Sequence, residues 1–125
     1  MHDIKLVVKK HGTILAEIQV KSAWAPLNIH TISSIHSVMA AVGKTGSIVY
    51  FVLPVRLRSE SSTRPVPKKG DVLLMPQHNA IGIALEDTDP LPYPNTRIGT
   101  LTAGLEKLRQ LKSGDIVIVD TAPAE

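Results

Sequence analysis

The sequence predicts a mainly β fold, closed or nearly closed into a barrel, with two short helices. Short apolar runs, alternating or continuous, recur along the chain; glycine, proline and asparagine punctuate them; and only two segments carry apolar residues at helical spacing. Closure follows because rolling the sheet shut is how a chain of many short strands avoids exposed edges.

Taken in order, Ile4, Leu6 and Val8 alternate with Asp3, Lys5 and Lys9. Beyond a turn at His11-Gly12, Ile14, Ala16, Ile18 and Val20 alternate with Thr13, Leu15, Glu17 and Gln19, which makes a hairpin with one apolar face. A helix is expected over 25–35, with Ser22 as its cap and Pro26 in the first turn, where a missing N–H costs nothing. Its interior, Thr31 to Ile35, is poor in strong helix formers and must depend on packing. Residues 37–42 can extend that helix or form a strand. The strand is preferred, because Gly43-Lys44-Thr45-Gly46 then turns a hairpin into Ile48 to Val55, the most apolar run of the chain and its central wall.

Residues 59–70 hold serines, a threonine, two prolines and much of the basic charge, and read as a long surface loop. Two short strands follow, Val72 to Met75 and Ala80 to Leu85, separated by Pro76-Gln77-His78-Asn79. The segment 86–95 has prolines at 90, 92 and 94, so it should be stiff and extended. Thr96 to Leu101 is a further strand. Leu105, Leu108 and Leu111 repeat at helical spacing behind Thr102 as N-cap, Arg109 and Lys112 suit the dipole at the far end, and Gly114 closes the helix in a left-handed conformation. Ile116 to Val119 is the last strand, and 121–125 is expected to fray.

A length of 125 residues gives one domain, 1–125, and 43% apolar with 20% charged residues gives a globular one. One Trp, two Tyr and one Phe leave the core aliphatic and supply no broad platform for stacking bases or sugars. The net charge of +3 hides a bipolar distribution. Arg56, Arg58, Arg64, Lys68 and Lys69 oppose Glu60 alone, whereas Asp71, Glu86, Asp87 and Asp89 fall in a stretch without a cation. That pattern argues against a nucleic-acid partner. Absence of cysteine removes disulfides, thiolate nucleophiles and cysteine-rich zinc sites. Nothing at the N-terminus resembles a signal peptide, and the uncharged stretch 22–43 is too rich in Ser, Thr, Asn and His to span a membrane. A cytoplasmic protein without membrane attachment is expected.

Motifs for chemistry are sparse. Gly43-Lys44-Thr45 imitates the end of a phosphate-binding loop, but Val38 stands where that loop needs glycine. No Gly-x-Ser-x-Gly elbow occurs. His30 and His36 lack the spacing of a metal pair, and Glu86, Asp87 and Asp89 lack the glycine and distant glutamate of a calcium loop. Neither a metal nor a cofactor is expected. Pro76-Gln77-His78-Asn79 gathers two amides and an imidazole at the end of a buried strand, where they can line a barrel mouth, and His78 can donate, accept or shuttle a proton. The competing reading is that Gln77 and Asn79 satisfy a tight turn. A single histidine without an orienting carboxylate makes no catalytic site.

The order and spacing of several pieces resemble a known group. These are Ile48-Val49-Tyr50-Phe51-Val52-Leu53-Pro54-Val55, Lys69-Gly70-Asp71-Val72-Leu73-Leu74-Met75-Pro76, Asn79-Ala80-Ile81-Gly82-Ile83, Arg97-Ile98-Gly99-Thr100-Leu101 and Lys112-Ser113-Gly114-Asp115-Ile116-Val117. From about residue 46 onward the chain is similar to the small prokaryotic cyclophilin-like proteins, single-domain proteins mostly of unknown function. The resemblance implies a closed eight-stranded barrel with a helix near each end, in agreement with the strands counted above. Ile98 to Leu101 with Gly104, Leu105 and Leu108 is also similar to the closing strand and helix of the cyclophilin peptidyl-prolyl isomerases. Those enzymes place an arginine shortly before a proline, then a phenylalanine and a glutamine, with a later tryptophan and histidine. If Pro54 is that proline, Phe51 holds the arginine's place, Arg56 the phenylalanine's and Ser59 the glutamine's; the tryptophan falls within Pro90 to Tyr93, and the histidine at about Asn95. Each position departs from the enzymes, so the rotating amide loses its specific stabilisation. The chain also reads Met75-Pro76-Gln77-His78 where many closer relatives have Trp-Pro-Pro-Gly, and its loop 86–90 is more acidic.

The function expected is a small-ligand or peptide-binding module lacking the isomerase residues, with no catalytic residue assigned. Its cleft would be lined by Phe51, Arg56, Met75, Gln77, His78, Ile81 and Asn95. Arg56 would be the anion contact, Gln77 and His78 the directional hydrogen bonds, and Met75 with Phe51 the apolar floor. The alternative is a peptidyl-prolyl isomerase with a divergent active site. A third reading is self-association into a homodimer through a flat strand face.

Overall fold

The computed structural model describes residues 3–60 and 66–122. Strands β1 (Ile4–Lys10) and β2 (Thr13–Val20) form the expected hairpin, turned by His11 and Gly12 with φ of 52° and 78°. Two successive positive values belong to the turn that matches the twist of its strands, and glycine suits the second of them. A bulge sets Lys9 opposite Ile14 and leaves Leu15 unpaired. Beyond it the face reverses, so Ala16, Ile18 and Val20 are buried while Ile14 is exposed, contrary to simple alternation.

The long helix expected over 25–35 does not form. One turn of 3-10 helix spans Ser22–Trp24, and α1 covers only Ile29–Ser33. Pro26 disfavours helical backbone at Ala25, whose φ and ψ are −137° and 51°. Ser22 caps nothing in the helix; its N–H and hydroxyl donate to Asp3 Oδ1. The hydroxyls of Ser33 and Ser34 bond back to the carbonyls of His30 and Thr31, which weakens α1 further.

Strand β3 (Val38–Thr45) confirms the preferred reading and runs through Gly43, so its hairpin with β4 (Ile48–Val52) turns at Gly46-Ser47 and not over 43–46. Then come β5 (Asp71–Met75), a 3-10 turn at Pro76–His78, β6 (Ala80–Ala84), β7 (Thr96–Ala103), α2 (Leu105–Arg109) and β8 (Ile116–Ala122). Gly104, not Thr102, stands at the N-terminus of α2, and the Thr102 hydroxyl donates to the Glu17 carbonyl. Gly114 is left-handed as expected, with φ of 94°, but it shapes the turn into β8, since α2 has already ended. Thr121 and Ala122 remain in β8, paired with Leu6 and Lys5; the rest of the stretch expected to fray, 123–125, lies outside the described residues.

All neighbouring strands are antiparallel, in the order β1-β2-β7-β5-β6-β4-β3-β8, with β8 returning to β1. The interior holds Leu6, Val8, Ile18, Val20, Val42, Val49, Phe51, Val72, Leu74, Ile81, Ile83, Ile98, Val117 and Val119, an aliphatic core with one ring. α1 supplies Ile29 and Ile32, and α2 supplies Leu108.

The chain after β4 is more ordered than a solvated loop. Leu53 and Leu57 enter the core. Glu60, expected to be solvated, is only 7% exposed; its carboxylate accepts the N–H of Leu27 and the Nδ2 of Asn28. Asn28 also donates to the Arg58 carbonyl and accepts the Arg58 N–H, so its whole amide is spent on this segment. Of the loop expected over 59–70, residues 61–65 lie outside the described residues.

Candidate functional site

The wall made by β4, β5 and β6 is apolar on both faces. Val49, Phe51, Val72, Leu74, Ile81 and Ile83 point into the barrel, and strand alternation sends Ile48, Tyr50, Leu73, Met75, Ala80, Gly82 and Ala84 outward. Outward residues on a barrel ordinarily meet water. Here Ile48, Leu73, Met75, Ala80 and Ala84 are buried as a second cluster, covered by Tyr50, Leu91 and Tyr93. That double burial is why β5 and β6 read as continuous apolar runs.

Three rings meet at one end of this outer face. Tyr50 lies across Gly43 on the neighbouring strand, where any Cβ would come within 2.2 Å of the tyrosine ring. The Tyr50 and His78 rings are 5.2 Å apart and tilted, and Tyr93 meets His78 edge-on at 4.9 Å. His78 is held there by the 3-10 turn, which Asn79 ends in a left-handed conformation at φ 50°, ψ 47°. Asn79 also ties the turn to the chain leaving β4: its Nδ2 donates to the carbonyls of Leu53 and Val55, its Oδ1 accepts the Leu57 N–H, and its own carbonyl accepts the Leu53 N–H. The tight-turn reading therefore describes Asn79 well, and the imidazole is left to face the tyrosines.

Beneath and beside these rings, His78 Nδ1, the Tyr93 hydroxyl and Asn95 Oδ1 are buried and close no hydrogen bond among the described residues. Burial raises the Tyr93 phenol above its usual pKa; the nearby Thr45 hydroxyl opposes this in part and Tyr50 adds to it. An open cleft of about 540 Å³ adjoins, lined by Thr45, Gly46, Ser47 and Ile48 from the β3–β4 hairpin and by residues 87–93. Tyr93 and Ile48 belong to both the cleft and the buried cluster. Asp87 and Asp89 stand on the rim, Asp87 Oδ1 accepting the Lys69 N–H, and no Lys or Arg lines the cleft among the described residues. Further along the outer face, Arg97 pairs with Asp71 at 2.8 Å and stacks 4.3 Å from the Trp24 ring.

The seven residues expected to form a cleft are divided by the barrel wall. Phe51 and Ile81 lie in the interior, paired with each other across β4 and β6, and cannot share a surface with Met75. A cation in the place of Phe51 would be buried in aliphatic surroundings. Met75 lies on the outer face in the second cluster, His78 lies between the tyrosines, and Asn95, 8% exposed, donates from Nδ2 to the Tyr93 carbonyl. Gln77 and Arg56 are exposed, and Arg56 does not line the cleft. Tyr50, Tyr93, Leu91 and the hairpin tip 45–48 were missed by the sequence reading. Their signal was faint: a tyrosine opposite a glycine on the next strand, and apolar residues spaced between the prolines of 90–94.

Among the described residues no cluster of His, Asp or Glu is placed to hold a metal ion, and no helix is long and apolar enough to cross a membrane. The molecule is a closed, antiparallel eight-stranded barrel with a covered outer face. A hypothetical protein from the archaeon Archaeoglobus fulgidus, solved in solution, has the same fold: TM-score 0.78 over 96% of this chain and 95% of that one, at 21% identity. No protein-family model and no curated protein matches the sequence.

Proposed function

We propose that this barrel is a cyclophilin-like binding module that takes a small molecule or short peptide at the outer face of β4, β5 and β6, and that it resides in the cytoplasm. The observation that carries the site is the set of buried, unpartnered polar atoms on His78, Tyr93 and Asn95, of which Tyr93 lines an open cleft and His78 packs against the Tyr93 ring. Leaving such groups without a partner costs about 1–3 kcal/mol each, which a ligand with matching donors and acceptors recovers. The tyrosine and imidazole rings suit a flat or apolar body, and the carboxylates on the rim favour a neutral or cationic ligand over an anion. The cyclophilin-like membership is supported by the motif order from Ile48 to Val117 together with barrel closure, and the cytoplasmic assignment by the lack of cysteine.

Thermal-shift screening with metabolites and short peptides tests the reading. A true ligand raises the melting temperature of the native chain by mass action and fails to do so for His78→Ala and Tyr93→Ala. A coupled proline-isomerisation assay tests the alternative enzyme. The binding reading expects no rate above the spontaneous one, and turnover abolished by His78→Ala or Arg56→Ala would replace it with an isomerase.

A further inference from the structure

We propose that residues 89–95 form a strap that lifts from the outer face of β4, β5 and β6 and so gates the site assigned above. The proposal deepens the binding reading and rests on it for its purpose. Leu91 and Tyr93 seat the segment on the buried cluster of Ile48, Leu73, Met75, Ala80 and Ala84. Side chains do all the holding. Pro90, Pro92 and Pro94 have no N–H to give, and among the described residues no backbone hydrogen bond joins 89–95 to the barrel. The hydrogen bonds the segment closes are local, from the Thr88 hydroxyl to the Asp89 carbonyl and from Asn95 Nδ2 to the Tyr93 carbonyl, and its one polar approach to the barrel among the described residues is that of the Tyr93 phenol to the Thr45 hydroxyl of β3.

Both ends are fixed. The Thr88 N–H donates to the Pro67 carbonyl at 3.1 Å, and Thr96 enters β7 opposite Leu74. Alternate prolines keep the span extended, so it moves as a unit between these two anchors. Its closed position is imperfect, because it buries the Tyr93 hydroxyl, His78 Nδ1 and Asn95 Oδ1 without a partner for any of them. Lifting returns these groups to water at the expense of apolar contact, and no sheet hydrogen bond breaks. Opening therefore lies well below global unfolding in free energy.

The native chain has no cysteine, so a single introduced thiol reports opening cleanly. Ala84, fully buried on the outer face, and Ala40, 1% exposed in the interior, are replaced separately as Ala84→Cys and Ala40→Cys and exposed to a thiol-reactive dye without denaturant. Cys introduced at 84 should react at least about 100-fold faster than at 40. Adding Tyr93→Phe, which removes one unpartnered hydroxyl, should slow the reaction at 84 about tenfold, and adding Leu91→Ala should speed it by a similar factor. Equal rates at the two positions, with the same denaturant dependence, would show that only global unfolding uncovers the face and would overturn the strap. Relaxation dispersion on the unaltered chain gives the same answer without substitutions: shared microsecond-to-millisecond exchange at Leu91, His78 and Tyr93 but not at Phe51, with flat profiles at all four overturning it. Neither measurement uses a ligand. A moving strap with no thermal-shift hit counts against the binding reading alone, and a static strap with hits at the cleft counts against the gate alone.

Discussion

Single side chains decide where this sheet wall ends and how its outer face is built. Asn79 adopts a positive φ and spends its amide on three backbone groups of the chain after β4. Asn79→Ala should destabilise the fold by about 2–4 kcal/mol in urea titration, and Asn79→Gly by less, since glycine keeps the backbone conformation. Gly99 makes the complementary point. A Cβ there would sit 2.0 Å from the Gln19 carbonyl oxygen on β2, a backbone atom that cannot swing away. Gly99→Ala should therefore cost more than about 3 kcal/mol or prevent folding, whereas Gly12→Ala meets open space and pays only for its positive φ.

At the scale of elements, the segment 53–60 acts as a plug whose buried carboxylate is met by the Leu27 N–H and the Asn28 amide just before α1. Asn28→Ala leaves Glu60 and the Arg58 backbone short of partners and should lose about 2–4 kcal/mol, measured by the denaturation midpoint. This scale also shows what the sequence made legible. Period-two alternation marked β1 and β2, and the apolar runs marked β5 and β6 to within a residue, because each pattern records burial directly. The run expected to reach Val55 overshot β4 by three residues, since Leu53 leaves the sheet yet still packs into the core. Residues 25–35 misled, since apolar spacing says nothing of Pro26 stopping the backbone or of Asn28 being claimed by a distant segment. The site was half visible. Met75, His78 and Asn95 belong to the outer face, but alternation had to be followed strand by strand to see that Phe51 and Ile81 turn inward, and the role of Leu91 and Tyr93 depends on where a proline-rich segment docks.

For the whole molecule, three carboxylates help hold the ends of the barrel. The Ser22 N–H, then Lys21, hold Asp3 below its ordinary value of 3.8; the Lys112 N–H, then Lys10, do so for Asp115; the Ser37 hydroxyl leads for Asp120. A folded-state pKa below the unfolded one gives stability that is complete above 3.8 and disappears as the pH falls through the depressed values. The urea midpoint should thus be flat above about pH 5 and drop below the carboxylate range, less steeply in Asp115→Asn. The outer surface of β3, β4 and β8 exposes Met39, Val52 and Ile116, with 65% of Met39 accessible. If self-association occurs, it should use this patch, and light scattering of Met39→Lys should then report a monomer at concentrations where the native chain reports a dimer.

The measurement that bears most directly on the function is chemical-shift mapping of a thermal-shift hit titrated into the isotope-labelled chain. Saturable shifts should concentrate at Ser47, Tyr50, His78, Tyr93 and Asn95 and leave Phe51 and Ile81 in the interior unmoved. Shifts centred on any other face of the barrel, with these five residues silent, would contradict the site and the function drawn from it.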